Sequence, residues 1–212
     1  MRRGVTVRGR LLDPAGKPVA QAQMVCRLHK TAVPSLFEVE VRGDQFALHG
    51  CDPGKDYPVY FLDWEHGWGA TCTVAGKQAD GDPVTVQLAP CGKAVVRFVD
   101  DEGKPLKNHQ IQAPVILKMV VTPGPTCEQA DDHGTLEADQ LFADNLMSRK
   151  DRVARKQLKT DADGRCTYSG LIPGATYRLS VWDKDAGVVL KKEFRAEDGK
   201  TLDQGDVRLP AR

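Results

Sequence analysis

The chain has 212 residues, which suggests one large domain or two small ones, and 41% hydrophobic residues are enough for a folded core. Its 30 basic and 29 acidic residues leave a net charge of +1, whereas nucleic-acid binders usually carry a dominant basic face. No apolar run reaches the roughly 18 residues of a membrane-spanning helix, so we expect no membrane insertion. The first seven residues contain charge but no apolar stretch, so no signal peptide is expected there.

Short segments rich in Val, Leu, Thr and Tyr alternate with turns along the chain. The 20 glycines and 13 prolines fall between these segments, as in β-sandwich proteins. Period-two alternation of apolar residues begins at Tyr57 and again at Tyr177. The predicted strands, in chain order, are 5–12, 22–28, 37–41, 46–48, 57–61, 69–74, 84–88, 94–99, 110–121, 166–168, 177–181, 188–194 and 207–209.

The sequence repeats itself. Residues 10–19 (RLLDPAGKPV) align with residues 97–106 (RFVDDEGKPL) at an offset of 87. Residues 50–57 (GCDPGKDY) align with residues 170–177 (GLIPGATY) at an offset of 120. The anchors occur in the same order in both halves, so we infer two homologous units.

The repeat predicts two tandem antiparallel β-sandwich domains, 4–90 and 91–212. Because residues 89–92 are too short for a free tether, we expect the domains to contact each other. The change of offset places about 33 extra residues in the second domain, within an insertion at about 123–159. Apolar residues at helical spacing predict a helix near 135–150, whose basic end is either a recognition patch or a solvated face.

Two aspartate-led turns begin at Asp13 (DPAG) and Asp100 (DDEG). An aspartate side chain bonds back to the backbone, and glycine three residues later takes a positive φ. Each turn is therefore predicted to join the strands on either side of it into a hairpin.

Residues 9–19 (GRLLDPAGKPV) and 160–177 (TDADGRCTYSGLIPGATY) resemble the two ends of the carboxypeptidase regulatory-like domain. The resemblance covers both units except the insertion, and it implies a transthyretin-like, Ig-like β-sandwich. It also implies a non-catalytic spacer or binding module within a larger secreted or envelope protein. The first unit departs from the pattern at residues 42–45, where Arg-Gly-Asp-Gln replaces the expected Asp-Gly.

The six cysteines contain no Cys-x-x-Cys pair, so neither a zinc site nor a redox motif is predicted. The resemblance to secreted modules favours at least one disulfide. Cys51 and Cys91, both at strand ends, are the first choice, and buried free thiols are the alternative. A disulfide would fit an oxidising, extracellular or cell-envelope location.

No sequence signature points to catalysis. The five histidines form no local metal-binding pair, and neither a Gly-x-Ser-x-Gly motif nor a phosphate loop occurs. The segment beginning at Asp161 resembles a calcium loop, but Cys166 and Ile172 stand where Gly and Glu are required. We therefore expect no enzyme, no metal and no cofactor, with metal-dependent catalysis by residues from distant strands as the competing hypothesis.

The segment 63–68 (DWEHGW) is the main candidate for a ligand or partner surface, through Trp64, His66 and Trp68. Two tryptophans beside a turn suit stacking on sugar rings or anchoring a protein. Alternatively, one or both fold down over the sandwich edge.

The sequence thus predicts a monomeric, non-catalytic structural, adhesive or binding module of a larger secreted or cell-envelope bacterial protein. Its expected partner is a protein or polysaccharide of the envelope and not a nucleic acid. The alternative function is a carbohydrate-binding module that uses Trp64 and Trp68.

Overall fold

The computed structural model describes residues 4–26, 39–108, 116–120, 159–183 and 187–209. Within these ranges the chain forms β-strands, one 3₁₀ helix and no α-helix, which confirms the all-β class. The predicted helix near 135–150 lies outside them. The strands are β1 (Val5–Leu12), β2 (Gln23–Cys26), β3 (Val39–Arg42), β4 (Gln45–Cys51), β5 (Asp56–Asp63), β6 (Trp68–Ala75), β7 (Val84–Gln87), β8 (Ala89–Pro90), β9 (Gly92–Val99), β10 (Ile116–Val120), β11 (Arg165–Leu171), β12 (Thr176–Asp183), β13 (Gly187–Arg195) and β14 (Thr201–Arg208).

The first pair of sheets, ordered β3-β4-β1-β7 and β2-β5-β6-β8, comes from the first half of the chain. Side chains of successive strand residues point to opposite faces, so β1 buries Val7 and Leu11 while Arg8 and Arg10 are exposed. The buried residues form a first core cluster: Val7, Leu11, Val19, Ala22, Met24, Phe46, Leu48, Cys51, Tyr57, Val59, Phe61, Ala70, Val74, Val86 and Leu88.

The second pair of sheets, ordered β11-β9-β14 and β10-β12-β13, comes from the second half. Val96 and Phe98 of β9 are fully buried, and Tyr177 of β12 reaches the same interior. This second core cluster consists of Tyr60, Leu62, Ala94, Val96, Phe98, Cys166, Tyr168, Leu171, Ile172, Ala175, Tyr177, Ala196 and Val207. Each half therefore contains an apolar core, and the second core also includes Tyr60 and Leu62 of the first half. The division into domains at residue 91 stays a prediction.

Most strand pairs are antiparallel, as predicted, but each half also contains one parallel pair. In each half the first and last strands pair in parallel, β1 with β7 and β9 with β14. The reason is a crossover: β6 lies in one sheet and β7 in the other, so the chain returns to β1 running in the same direction.

The turns beginning at Asp13 and Asp100 are equivalent in the structure. Each aspartate side chain accepts hydrogen bonds from backbone N–H groups two and four residues later, at 2.8–3.0 Å. The glycine three residues later has a φ of 82° in both turns, which is the left-handed conformation that glycine allows.

These turns do not close hairpins, so that prediction is wrong. β2 pairs with β5 in the opposite sheet, and β10 pairs with β12. After each turn only an isolated bridge forms, Leu12 with Pro18 and Val99 with Pro105. Proline has no N–H to extend a ladder, so the chain leaves the first sheet and crosses to the second.

Strand β5 is buried on both faces. Tyr57, Val59 and Phe61 belong to the first cluster, whereas Tyr60 and Leu62 belong to the second. One strand therefore contributes to both cores and holds the two halves against each other.

A tyrosine closes the Pro-Gly turn in each half. The Tyr57 hydroxyl accepts a hydrogen bond from the Asp52 backbone N–H at 2.6 Å, and the Tyr177 hydroxyl accepts one from the Ile172 backbone N–H at 2.7 Å. The second bond is buried and the first is partly buried. Without the hydroxyl, the Ile172 N–H would be left unpaired away from water.

We expect Tyr177→Phe to lower the free energy of unfolding by about 1–3 kcal/mol, because a buried donor loses its acceptor. The matched variant Tyr57→Phe should lose less, since its donor is partly exposed to solvent. Urea titrations followed by circular dichroism measure both values. If both variants lost the same free energy of unfolding, burial of the Ile172 N–H would not explain the effect.

Candidate functional site

The candidate surface is the turn between β5 and β6. The two strands pair as far as Asp63 opposite Trp68, so residues 64–67 form the tip of a hairpin. Gly67 has a φ of 67°, a left-handed conformation that lets the chain reverse within four residues. The hairpin thus brings Trp64, His66 and Trp68 together at one end of the sheet.

A buried carboxylate organises this turn. Asp63 is only 1% exposed, and its Oδ1 accepts a hydrogen bond from the His66 backbone N–H at 3.1 Å. Its Oδ2 lies 2.8 Å from His66 Nδ1. Since a buried carboxylate is costly without partners, these two contacts stabilise the turn in one conformation. The His66 side chain is half exposed, so its ring is held in place at the surface.

The two tryptophan rings pack against different cores. Trp68 packs against the first cluster and is covered by the His66 ring, with centroids 4.6 Å apart and planes 16° apart. Trp64 packs against the second cluster, directly on Gly170, where an added Cβ would lie 2.2 Å from a ring carbon. Both rings are partly buried. The role of Trp64, His66 and Trp68 in binding a ligand or partner stays a prediction.

The structure does not support the predicted disulfide between Cys51 and Cys91. Both are free thiols. Cys51 is buried in the first cluster, where its Sγ contacts the Leu48 carbonyl oxygen at 3.7 Å. Cys91 packs against the second cluster, and its backbone N–H donates to the Gly67 carbonyl at 2.7 Å. The thiols therefore belong to separate cores, which spacing in the sequence could not reveal. Cys127 and the side chain of Cys26 lie outside the part of the chain that the structure describes.

Burial makes the described thiols weak acids. It raises the pKa of Cys72 to about 11. Burial and, secondarily, the negative charge of Asp63 raise the pKa of Cys91 to about 12. The pKa values of Cys51 and Cys166 are also raised, mainly by burial. Because the thiolate is the nucleophile and the metal ligand, the raised pKa values disfavour the reactive form of these four thiols.

Across the described ranges, no group of three or more His, Cys, Asp or Glu side chains is arranged to hold a metal ion. No helix in this part of the chain is both long and apolar enough to span a bilayer.

The sequence matches no protein-family profile and no curated protein sequence. By structure the chain is similar to a streptococcal ancillary pilin, with 14% identity and a TM-score of 0.32 over 98% of this chain and 62% of the pilin. It is also similar to the pilus backbone protein of Streptococcus pneumoniae, with 14% identity and a TM-score of 0.24 over 94% of this chain and 63% of that protein. The chain thus spans less than two thirds of either protein, and likeness at this level leaves its family open.

Strand β5 has a second buried face that its predicted pattern does not include. The alternation of Tyr57, Val59 and Phe61 predicts one buried face. The consecutive apolar residues Tyr60, Phe61 and Leu62 were the available signal for burial on both faces, because a half-exposed strand alternates.

We expect Asp63→Asn to lower the pKa of Cys91, because the variant removes the negative charge that disfavours the thiolate. The pKa should stay above 9, since burial is the larger cause of the shift. A fall of one unit would raise the thiolate fraction roughly tenfold. The rate of Cys91 alkylation, followed by peptide mass spectrometry at alkaline pH, measures the change.

Cys72 is the internal control for this variant, because burial alone raises its pKa. Its alkylation rate should not change. Equal acceleration at both cysteines would mean that the variant loosens the fold, and an unchanged rate at Cys91 would contradict the electrostatic link.

Proposed function

We propose that this chain is a non-catalytic structural module of a larger secreted or cell-envelope bacterial protein. In this proposal, tandem domains 4–90 and 91–212 act together as one rigid segment. The observation that carries it is the packing of the outer face of β5 into the second core. A flexible spacer would leave that face in water.

The contact that supports rigidity is apolar and well buried. Tyr60 and Leu62 are 1% and 3% exposed, and they share a cluster with Leu171 and Ile172 of the second half. Fully burying a large apolar side chain contributes about 1.5–3 kcal/mol. Two such side chains, together with Trp64, are expected to contribute several kcal/mol to the coupling of the two halves.

Backbone pairing reinforces this contact. The short strand β8 connects the two halves and pairs with β6, with Trp68 opposite Pro90 and Gly69 opposite Ala89. The backbone N–H of the next residue, Cys91, donates a hydrogen bond to the Gly67 carbonyl. The connection is therefore part of a sheet, which restricts any hinge motion between the halves.

The absence of catalysis is part of the proposal, and the thiols support it. Cys72 and Cys91 are protonated at neutral pH because their pKa values are about 11 and about 12.

Elemental analysis that found a stoichiometric metal ion in the purified protein would contradict a non-catalytic role and favour metal-dependent chemistry.

We expect the protein to unfold in one cooperative transition, because the two halves share β5. Leu62→Ala removes a side chain that packs only in the second cluster, so it should lower stability by about 2–5 kcal/mol and split the transition into two. Differential scanning calorimetry and tryptophan fluorescence measure this.

Val59→Ala is the matched control, since Val59 lies on the same strand but faces the first cluster. It should lower the melting temperature while keeping a single transition. Two independent transitions in the unmodified protein would overturn the rigid-segment proposal.

The second candidate is a carbohydrate-binding module that uses Trp64 and Trp68, and it requires a sugar to displace the half-exposed His66 ring that covers Trp68. Glycan arrays and titrations followed by tryptophan fluorescence test it. Saturable binding that is lost in Trp68→Ala would establish this function. Loss in Trp64→Ala alone would instead point to damage at the contact with Gly170.

A further inference from the structure

We propose that the outward face of the sheet β3-β4-β1-β7 binds an acidic peptide segment of a partner protein through Arg8 and Arg10. This inference goes beyond the proposed structural role. The surface concerned lies on the opposite side of the first sheet pair from the face of β5 that contacts the second half, so the two proposals are independent.

Arg8 and Arg10 are adjacent outward positions of β1 and are both exposed. Outward residues two apart on a strand are separated by about 6.6 Å, the same repeat as alternate side chains of an extended peptide. Arg8 makes no ion pair with any side chain in the described part of the chain. Its guanidinium is accessible to an external carboxylate.

Arg10 lies in a row that crosses the whole sheet. It pairs with Gln45 of β4 on one side and with Thr85 of β7 on the other, and Gln45 in turn pairs with Arg42 of β3. Its Nε donates a hydrogen bond to the Thr85 hydroxyl at 3.0 Å. This hydrogen-bond partner is neutral. In the adjacent row, Glu40 is separated from Arg8 by Ala47.

The second half of the chain also has an arginine at the position equivalent to Arg10. Arg97 of β9 aligns with Arg10 in the repeat, and Asp206 of β14 pairs with it in parallel as Thr85 pairs with Arg10. Arg97 Nη1 donates to Asp206 Oδ2 at 2.8 Å. On the same face, Arg165 lies 3.5 Å from Asp203. Two carboxylates of β14, one on each side of its bulge, thus bind two arginines that face each other on β9 and β11.

This internal comparison favours a peptide as the partner. In the second half, both carboxylates that bind arginine come from the last strand, and the last strand of the first half lacks them. Charge-assisted hydrogen bonds from arginine to carboxylate are stronger than bonds between neutral groups. An extended segment with alternating acidic residues would supply to Arg8 and Arg10 what β14 supplies to Arg97 and Arg165.

The test uses the full chain and a fluorescein-labelled peptide of alternating glutamate and threonine, with binding followed by fluorescence anisotropy at low ionic strength. Saturable binding is expected. The double variant Arg8→Gln/Arg10→Gln should weaken binding roughly tenfold, because two charge-assisted contacts are lost. The matched control Arg165→Gln should leave the affinity unchanged, since Arg165 is already paired with Asp203.

A reciprocal pair of variants tests the role of the last strand. Thr85→Asp places a carboxylate beside Arg10, as Asp206 is placed beside Arg97, and should weaken peptide binding about as much as loss of Arg10. Asp206→Thr removes the internal partner of Arg97 and should add a second binding event.

The proposal would be overturned by a lack of saturable binding, by equal affinity in the double variant, or by equal affinity in Thr85→Asp. A sodium polyphosphate competitor that bound through the same arginines more tightly than the peptide would also overturn it, in favour of a phosphate polymer. Circular dichroism confirms that each variant is folded.

Discussion

The two-sided burial of β5 is the constraint on which the rest of the structure depends. Val59 and Phe61 fill the first core, and Tyr60 and Leu62 fill the second, so neither core is complete without this strand. Asp63 at the end of β5 and Trp64 in the turn that follows also lie at the contact between the halves. The order of residues along β5 therefore determines which core each side chain enters and where the candidate surface begins.

The two halves share a framework but differ in what they present to solvent. The aspartate-led turns, the tyrosine hydroxyls that bind a backbone N–H, and the parallel first and last strands occur in both. At the outward positions the chemistry diverges: Thr85 stands where the second half has Asp206. Turn and core residues are constrained by local geometry and packing, whereas an exposed strand residue is free to change its charge.

Local signals explain what the sequence predicted. Gly16 and Gly103 take the positive φ that their turns require, and the apolar residues of β1 and β9 alternate, so turns and strands were found. The pairing of β2 with β5 was missed because partner choice depends on contacts between distant residues. The proposed link between Cys51 and Cys91 failed for the same reason. At the candidate surface the sequence identified Trp64, His66 and Trp68, but it could not show that the tryptophans pack against different cores.

The parallel pairing of β1 with β7 has a mechanical consequence. In a parallel pair, the N-terminal end of one strand and the C-terminal end of the other lie at opposite ends of the ladder. Tension along the chain would therefore load the ladder in shear, so that its hydrogen bonds resist together instead of breaking one after another. The same geometry holds for β9 and β14. Forced unfolding is governed by the unfolding rate and not by equilibrium stability. Each half is therefore expected to unfold slowly under tension.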